Sequence, residues 1–425
     1  MSIVRRRAPV ACFLALLLTA VWGQAALAAA GGLDTTFGGD GKVLTNFTPR
    51  FDGANDIAIQ LNGRIVAAGQ AAGANKFAVA RYLLNGRLDR SFGGDGRVLT
   101  SFRGGGSVDA AAIDAGGKVV AAGEALGKFA LARYTPNGAL DPSFGGDGKV
   151  TTNFSSGFDA AHGVAIQPDG KIVAAGEANG KFALARYDLD GSLDPAFGGD
   201  GGVSTKFGRG FQSASDVAVK DNGKIVAVGF HVRRGDWRFA LARFNSDGTL
   251  DTTFGGDGMV TTNFTKRGDS ALGVAVRSNG KILAAGEAGI GEGLDVFDTR
   301  FALARYNPDG SLDRSFSANG KVMTNFTKAE DGASDIVIQD DGKIVAAGSA
   351  ARSGGRFALA RYHPDGTRDH AFGGDGKVTT RFHGGGRAHA AAIQGDGKIV
   401  AAGAAGAGSS STNDAKFALA RYLAA

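Results

Sequence analysis

The stretch that decides the fold is Leu88–Gly96 (LDRSFGGDG), because close copies of it run through the whole chain. Its phenylalanine recurs seven times at a mean spacing of about 56 residues: Phe37, Phe92, Phe144, Phe197, Phe254, Phe316 and Phe372. A GKIVAAG-like motif, first at Gly63, and a FALARY-like motif, first at Phe77, also occur seven times each. A fixed order of three motifs indicates a protein of seven repeats rather than two or three unrelated domains.

Each repeat contains signals for four β-strands, which we name A, B, C and D. In the first repeat, residues 55–60 (NDIAIQ) and 64–69 (RIVAAG) predict strands A and B, and Asn62-Gly63 between them predicts a type I′ hairpin turn. Residues 77–82 (FAVARY) predict strand C, and segments such as 42–47 (KVLTNF) predict strand D. We found no helical periodicity with caps after residue 30, so the fold class is all-β.

Seven units of four antiparallel strands predict a seven-bladed β-propeller. The competing architecture, a linear solenoid, needs atypical polar end repeats, and neither end of this chain is atypical. The repeats begin with a D-type strand at residues 41–47 and end with a C-type strand at 417–423. We therefore expect the N-terminal strand to complete the last blade and close the ring, which removes exposed strand edges.

Composition supports a globular repeat fold. Glycine makes up 70 of the 425 residues, about twice the usual roughly 7%, whereas proline occurs only 8 times. Glycine has no three-residue period, which excludes collagen, and the 43% hydrophobic content excludes a disordered chain.

The first 30 residues have the pattern of a signal peptide. Arg5–Arg7 precede an apolar stretch at residues 11–21, and small residues then allow cleavage after Ala28 or Ala30. We predict residues 31–425 to be one propeller domain of an exported protein, in the periplasm, outside the cell or on its surface. No later segment is apolar enough to span a membrane, and removal of the leader takes away the one cysteine, Cys12.

The charge balance gives no support to nucleic-acid binding. The whole chain carries +6, but residues 1–30 hold three arginines and no acid, so 44 basic and 41 acidic residues leave +3. We therefore expect no nucleic-acid partner. We also predict a monomer.

The three motifs together resemble the bacterial delta-60 repeat family over residues 33–423. The resemblance implies a secreted or surface-located propeller and supplies no mechanism. Two local departures are Ser317–Gly320 (SANG) in place of GGDG and Arg368 in place of leucine.

A repeated arginine–aspartate pair indicates a structural clamp. Arg81 and Asp89 are eight residues apart, and the same spacing recurs in the next five repeats. Arg421 has no following aspartate and Asp34 has no preceding arginine, so we predict that these two pair across the ring closure. A guanidinium holds a carboxylate at two points, which suits such a clamp.

Carboxylates before strand A are candidates for a ring at the channel mouth: Asp52, Asp159, Asp269 and Asp331. They are better explained as turn residues that cap loop backbone groups. Segments 188–194 and 307–313 resemble short calcium loops but lack the distal glutamate of an EF-hand, so calcium stays a minor alternative. We predict no cofactor and no other metal.

Blade-specific loops carry the strongest functional signal. The B–C connections are short in repeats two and three, but lengthen at 230–238 (FHVRRGDWR), 287–300 and 404–416. B–C and D–A loops share one face of a propeller, so that face varies while the opposite one is nearly constant. Trp237, Arg233, Arg234 and His231 form the most ligand-like group on it.

The leading hypothesis is a non-enzymatic scaffold that binds a protein or a glycan through this variable face. One alternative is a propeller enzyme at the channel mouth: a lyase, a hydrolase or a quinone-dependent dehydrogenase. Another is a purely structural surface or adhesion protein. Seven nearly identical blades favour the scaffold.

Overall fold

The computed structural model describes residues 29–73, 75–266, 268–290, 298–350, 354–406 and 414–424. The predicted signal peptide lies outside these ranges except for Ala29 and Ala30. In the described residues the chain forms seven four-stranded antiparallel sheets and no α-helix, and no helix in them is long and apolar enough to cross a membrane.

The sheets are the blades of a seven-bladed propeller, and each has the strand order A-B-C-D. The A strands are β2 (Asp52–Ile59), β6 (Ser107–Ile113), β10 (Asp159–Ile166), β14 (Gln212–Val219), β18 (Asp269–Val276), β22 (Asp331–Ile338) and β26 (Gly386–Ile393). The B strands are β3 (Ile65–Ala71), β7 (Val119–Ala125), β11 (Ile172–Ala178), β15 (Ile225–Arg233), β19 (Ile282–Ile290), β23 (Ile344–Ala350) and β27 (Ile399–Ala405).

The outer two strands of each blade come from the FALARY motif and from the segment after GGDG. The C strands are β4 (Lys76–Tyr82), β8 (Lys128–Tyr134), β12 (Lys181–Tyr187), β16 (Asp236–Phe244), β20 (Asp298–Tyr306), β24 (Arg356–Tyr362) and β28 (Lys416–Tyr422). The D strands are β5 (Arg97–Thr100), β9 (Lys149–Thr152), β13 (Gly202–Thr205), β17 (Met259–Thr262), β21 (Lys321–Thr324), β25 (Lys377–Thr380) and, in the seventh blade, β1 (Lys42–Thr45). Blade 1 starts at β2, and the numbering follows the chain.

The A strands line the central channel, because each contacts the A strands of both neighbouring blades around the ring. They start earlier than the sequence predicted: β2 begins at Asp52 rather than Asn55. The reason is a β-bulge in every A strand, which places one unpaired residue, Asn55 in blade 1, between two regular segments. The A–B turn is not type I′ either, since Gly63 has φ +78° but Asn62 does not have a positive φ. The extra loop residue Leu61 makes a longer turn that needs only one left-handed position.

The hydrophobic core consists of layers between blades. One layer joins Val120 and Leu131 of blade 2 to Ile172 and Tyr187 of blade 3, and equivalent layers lie between all other neighbouring blades. Alanine-rich B and C strands keep these sheets close together. The phenylalanine of every LDxxF motif, such as Phe92, is fully buried in one of these layers. Each blade is thus stable only against its neighbours.

The arginine–aspartate pair ties neighbouring blades together. Arg81 Nε lies 2.8 Å from Asp89 Oδ2, and both residues are almost completely buried. The other nitrogens of the same guanidinium donate to Ser91 Oγ and to the carbonyl of Pro136 in blade 2. Arg81 Cζ lies 4.8 Å from the centroid of the Phe92 ring. The corresponding pairs are Arg133–Asp141, Arg186–Asp194, Arg243–Asp251, Arg305–Asp313 and Arg361–Asp369.

A second cation, directly before strand B, completes each clamp. In blade 1 Arg64 Nε lies 2.9 Å from Asp89, and lysines take this place in the other blades. Burial raises the pKa of Asp89, but hydrogen bonds from Ser91 and the charges of Arg81 and Arg64 outweigh it and hold the pKa below its usual range. The carboxylate therefore stays ionised, and both charges of the pair remain compensated.

The two ends of the chain build the seventh clamp. Arg421 Nη2 lies 2.8 Å from Asp34 Oδ2, and Arg421 Nη1 donates to the carbonyl of Leu84 in blade 1. The C–D turn here is divided between the two ends, because Gly31 N–H donates to Leu423 O (2.8 Å) and Leu423 N–H to Gly32 O (2.9 Å). The continuous turn in blade 1 has the same two bonds.

At the other junctions, two carbonyl groups in the C–D turn of the next blade accept hydrogen bonds. At the junction of blades 6 and 7, the carbonyl groups of Ala30 and Ala424 accept them. Arg361 Nη1 donates to Ala424 O, and Gly373 N–H donates to Ala30 O at 2.9 Å. Ala30 is itself buried in the core layer between blades 6 and 7. Ala30 is therefore part of the folded ring.

Candidate functional site

The four aspartates that were candidates for a ring at the channel mouth instead accept hydrogen bonds from the D–A loops that precede them. Asp52 is fully buried at the start of β2 and accepts hydrogen bonds from the backbone N–H groups of Phe47 and Thr48 at 2.7 and 2.8 Å. Asp159, Asp269 and Asp331 make the same contacts in blades 3, 5 and 6. These carboxylates cap the D–A loop, and no surface is left on them for a ligand.

The segment predicted as the long B–C loop of blade 4 is a regular hairpin instead. Strands β15 and β16 each extend to nine residues and pair as far as Arg233 and Asp236. Only Arg234 and Gly235 form the turn, with φ +53° and +81°, the type I′ geometry. The hairpin therefore projects from the B–C face as a rigid arm, and the same strand extension occurs in β19 and β20 of blade 5.

Aromatic rings form a row on this arm. Trp237 is 38% exposed and stacks on Phe230 with 4.6 Å between ring centroids. Phe230 lies 5.9 Å from Phe211, which precedes β14 and is 46% exposed. Arg233 and Arg234 are exposed at the tip of the arm. Three of the four predicted binding residues on the arm thus reach solvent.

His231, the fourth, does not reach solvent. Its side chain is 4% exposed, its Nε2 lies 3.2 Å from Arg209 O, and its ring stacks on Phe207. His231 therefore fixes the D–A loop of blade 4 against the hairpin rather than contacting a ligand. The sequence placed it correctly in the B–C connection of blade 4 but could not show the side of the sheet that it occupies.

Blade 4 departs from the repeat at the positions around this row. Gln212 replaces the capping aspartate of blades 1, 3, 5 and 6, and its Oε1 accepts from Phe207 N–H at 2.6 Å. Phe230 takes the position held by Glu177 in blade 3 and Glu287 in blade 5. Relative to blades 3 and 5, both changes remove a carboxylate, although Gln70, Ser349 and Ala404 show that blades 1, 6 and 7 also lack an acid at the Phe230 position. The specialised surface is therefore both aromatic and short of negative charge.

A group of channel carboxylates escaped the sequence analysis. Asp56, Asp216 and Asp335 occupy the same position in blades 1, 4 and 6, directly after the bulge of strand A. Each accepts a hydrogen bond from the next blade; for example, Ala111 N–H donates to Asp56 Oδ2 at 2.6 Å. Each lies seven residues before the glycine of its GK motif. That common offset is the signal that identifies them.

The channel environment makes these carboxylates hard to ionise. Burial raises the pKa of Asp56 to about 7 against the hydrogen bond from Ala111, and the negative charge of Asp335 adds to the shift. Burial also raises the pKa of Asp216 and Asp335, and Asp216 is further affected by the charges of the other two. The three groups therefore interact across the channel.

The bulge residues contribute a second polar group to the channel. His162 Nδ1 of blade 3 lies 2.8 Å from Asp109 Oδ2 of blade 2. Gly163 packs so closely on blade 4 that a Cβ on it would lie 2.8 Å from Asp216 Cα. His162 and Ser215 immediately precede these two residues, so they occupy neighbouring positions at the channel.

The carboxylates of the two calcium-like segments contact groups of the protein itself. In the calcium-like segment 188–194, Asp190 Oδ1 accepts from Ser192 N–H at 2.9 Å, and Asp194 belongs to a clamp. Asp309 makes the same turn contact in 307–313. Among the residues that the structure describes, no three His, Cys, Asp or Glu side chains are grouped to hold a metal ion.

Comparison with known proteins agrees with the fold. Residues 60–92, 117–144, 167–197, 220–254, 277–316 and 339–372 match a family model described as a domain of unknown function (DUF5122) beta-propeller. No match was found among curated proteins. The chain is thus a β-propeller repeat protein.

Solved structures are similar at low identity. A protein of unknown function from Dyadobacter fermentans is 12% identical, with a TM-score of 0.46 over 90% of this chain and 98% of that one. Sqt1 from Chaetomium thermophilum is 12% identical, with a TM-score of 0.48 over 88% and 97%. A PL25 ulvan lyase, whose structure is described as bound to -[GlcA(1-4)Rha3S]-, is 13% identical, with a TM-score of 0.46 over 92% and 94%. None of these likenesses bears on function.

The channel carboxylates predict a pH-dependent stability. Because the pKa of Asp56 is raised in the folded protein, its carboxyl group ionises at lower pH in the unfolded chain. The contribution of Asp56 to the free energy of unfolding is therefore complete below about pH 4 and is lost as pH rises through about 7. Asp56→Asn removes this loss at the cost of one accepted hydrogen bond. The free energy of unfolding of the variant, relative to wild type, should rise by on the order of 4 kcal/mol between pH 4 and pH 8, because the pKa of Asp56 is raised from its usual value to about 7. Denaturant unfolding at both pH values measures this, with the exposed Asp221→Asn as control. Parallel pH profiles for wild type and Asp56→Asn would contradict the assignment.

Proposed function

We propose that the chain is an exported, non-enzymatic propeller scaffold that binds a protein or a glycan through its B–C face. The observation that carries this proposal is the blade-4 arm, where Trp237, Arg233 and Arg234 are exposed on a rigid hairpin. Trp and Arg are the residues most enriched in binding hot spots. A rigid arm also loses little conformational entropy when it binds.

Departure from the repeat supports a binding role for the arm. The opposite face carries a clamp at every blade junction, which leaves its loops little freedom to change. Blade 4 differs at Gln212, Phe230 and His231, positions that the clamps do not use. Structure alone gives no reason for an exposed tryptophan there, because its burial would be more favourable.

Export and family membership belong to the same proposal. The three motifs favour the delta-60 repeat type, whose members are exported. Cleavage after Ala28 is preferred over cleavage after Ala30, because Ala30 O accepts from Gly373 N–H and Ala30 is part of the core. The amino-terminal residue of the exported chain tests this: Ala29 is expected, and Gly31 would contradict it.

Exchange of the arm tests the binding role. Residues 230–238 (FHVRRGDWR) are replaced by the short segment 177–181 (EANGK) of blade 3, which joins the same flanking motifs. A ligand retained by wild type on glycan arrays or in cross-linking to exported proteins should bind the exchanged chain at least about tenfold more weakly. The matched control replaces residues 70–76 of blade 1 by the same segment and should bind normally. A ligand that binds both exchanged chains equally well would refute the role of the arm.

One observation favours an enzyme as the second candidate function. Asp109, His162 and Ser215 come from consecutive blades at the channel, and the Asp109–His162 contact uses Nδ1, which leaves Nε2 free to take a proton. The Asp109–His162 pair matches the part of a serine hydrolase in which an aspartate orients the histidine that accepts the serine proton, and Ser215 of the next blade is the candidate nucleophile. The hypothesis requires Ser215 to approach His162 when a substrate binds.

A serine-reactive fluorophosphonate probe tests this hydrolase. It should label wild type and Ser334→Ala, a bulge serine of blade 6, but not Ser215→Ala or His162→Gln. An unlabelled wild-type protein, or labelling that persists in Ser215→Ala, would exclude the serine mechanism.

A further inference from the structure

The blade-4 arm and the loop packed against it form one surface, which we call the blade-4 platform: residues 206–211 and 230–238. Val232 N–H donates to Phe211 O at 2.8 Å, and His231 Nε2 lies 3.2 Å from Arg209 O, so the two segments move as a unit. We propose that this platform binds an acidic polysaccharide, one that carries uronate or sulfate groups. The inference rests on the proposed binding function and names its ligand class.

Charge is the first argument. The platform contains five cations and one carboxylate, Asp236, and that carboxylate is occupied by Arg238 at 2.6 Å. Lys206, Arg209, Arg233 and Arg234 are exposed and form no ion pair with any residue of the described ranges. Such unpaired cations on one small surface attract a polyanion. The charge is local, because the chain without its leader is almost neutral.

The loss of two acids in blade 4 strengthens this argument. Gln212 keeps the capping hydrogen bond of the aspartate that it replaces, so the change removes charge without removing structure. Compared with the neighbouring blades 3 and 5, Phe230 replaces a second carboxylate, that of Glu177 and Glu287, by an aromatic ring. Both substitutions favour an anionic ligand and neither improves the clamp.

The aromatic row supplies the apolar contact that a sugar ring needs. Trp237, Phe230 and Phe211 follow one another with 4.6 and 5.9 Å between centroids, and the outer two rings are exposed. Phe158, at the position of Phe211 in blade 3, is also exposed. An extended chain with apolar ring faces and charged substituents matches rings in a row with cations beside them.

Other macromolecules match less well. The platform has 15 residues, fewer than the roughly 20–30 per side of a stable protein interface. Single-stranded nucleic acid also uses cations and aromatic rings, but it needs a separate ring face for each base. Here Phe230 and Trp237 cover each other, and the proposed export places the protein away from nucleic acid.

Trp237 is itself the reporter for the experiment, because the only other tryptophan of the sequence, Trp22, lies in the leader. Chain 29–425 is titrated with polygalacturonate, dextran sulfate, neutral dextran of matched length and a single-stranded oligonucleotide. We expect polygalacturonate or dextran sulfate to change the emission of Trp237 at low salt, with an affinity that falls as salt rises. A response to one of them alone identifies which anionic group is recognised. Neutral dextran at the same sugar concentration should leave the emission unchanged.

Charge and ring variants locate the binding. Arg233→Gln with Arg234→Gln should weaken binding about fivefold, as expected for two exposed ion pairs. Arg87→Gln with Arg90→Gln removes the same charge from the opposite face and should bind like wild type. Phe211→Ala, which keeps Trp237, should also weaken binding by about fivefold.

Three results would overturn the inference: no response to either acidic glycan, an equal response to neutral dextran, or tighter binding of the oligonucleotide. The exchange of residues 230–238 separates this inference from the proposed function. If the exchanged chain loses another ligand while wild type ignores acidic glycans, the arm is a binding site and the ligand class is wrong.

Discussion

The clamp between blades is the interaction on which this structure depends. Each buried arginine holds the aspartate of its own blade, a carbonyl of the next blade and the face of a buried phenylalanine, as Arg81 does with Asp89, Pro136 and Phe92. A buried guanidinium is tolerable only when its donors are satisfied, and the C–D turns supply the acceptors. The ring closes at seven blades because the divided turn at Ala30 and Ala424 reproduces the continuous turns elsewhere.

This constraint separates the two faces of the protein. The A–B and C–D face is occupied by clamps at every junction, so its loops have little freedom to vary. The B–C and D–A face needs only a cap for each D–A loop, which Asp52 provides in blade 1 and Gln212 in blade 4. Extra length and unusual residues therefore accumulate there, as in the extended strands of blades 4 and 5. The channel is the second place where blades differ, since a bulge side chain there contacts only neighbouring A strands. Differences among blades, rather than their common features, are where function is to be sought in a repeat protein.

The sequence alone was sufficient to predict the features that each repeat encodes locally. Spacing of the motifs predicted seven blades, four strands in each, and the closure by β1. The contact between Asp34 and Arg421 followed from counting which arginine and which aspartate lacked a partner. Other features depend on packing that no single segment encodes. His231 is buried because the D–A loop folds over it, and the blade-4 arm is strand rather than loop because its cross-strand pairs continue to a type I′ turn. The Asp109–His162 contact joins residues 53 positions apart, and only the bulge brings them together.

The seventh clamp, built from both chain ends, is expected to stabilise the ring as much as each of the six formed within the chain, although Arg421 contacts Asp34 through Nη2 and the other arginines use Nε. Arg421→Lys and Arg243→Lys make the same chemical change at the closure and at the junction of blades 4 and 5. Lysine keeps the charge but loses the fork that reaches the next blade. Equilibrium unfolding in denaturant should show that each variant loses about 2 kcal/mol, with the two losses agreeing to within about 0.5 kcal/mol. An Arg421→Lys protein as stable as wild type, beside a destabilised Arg243→Lys protein, would contradict the account.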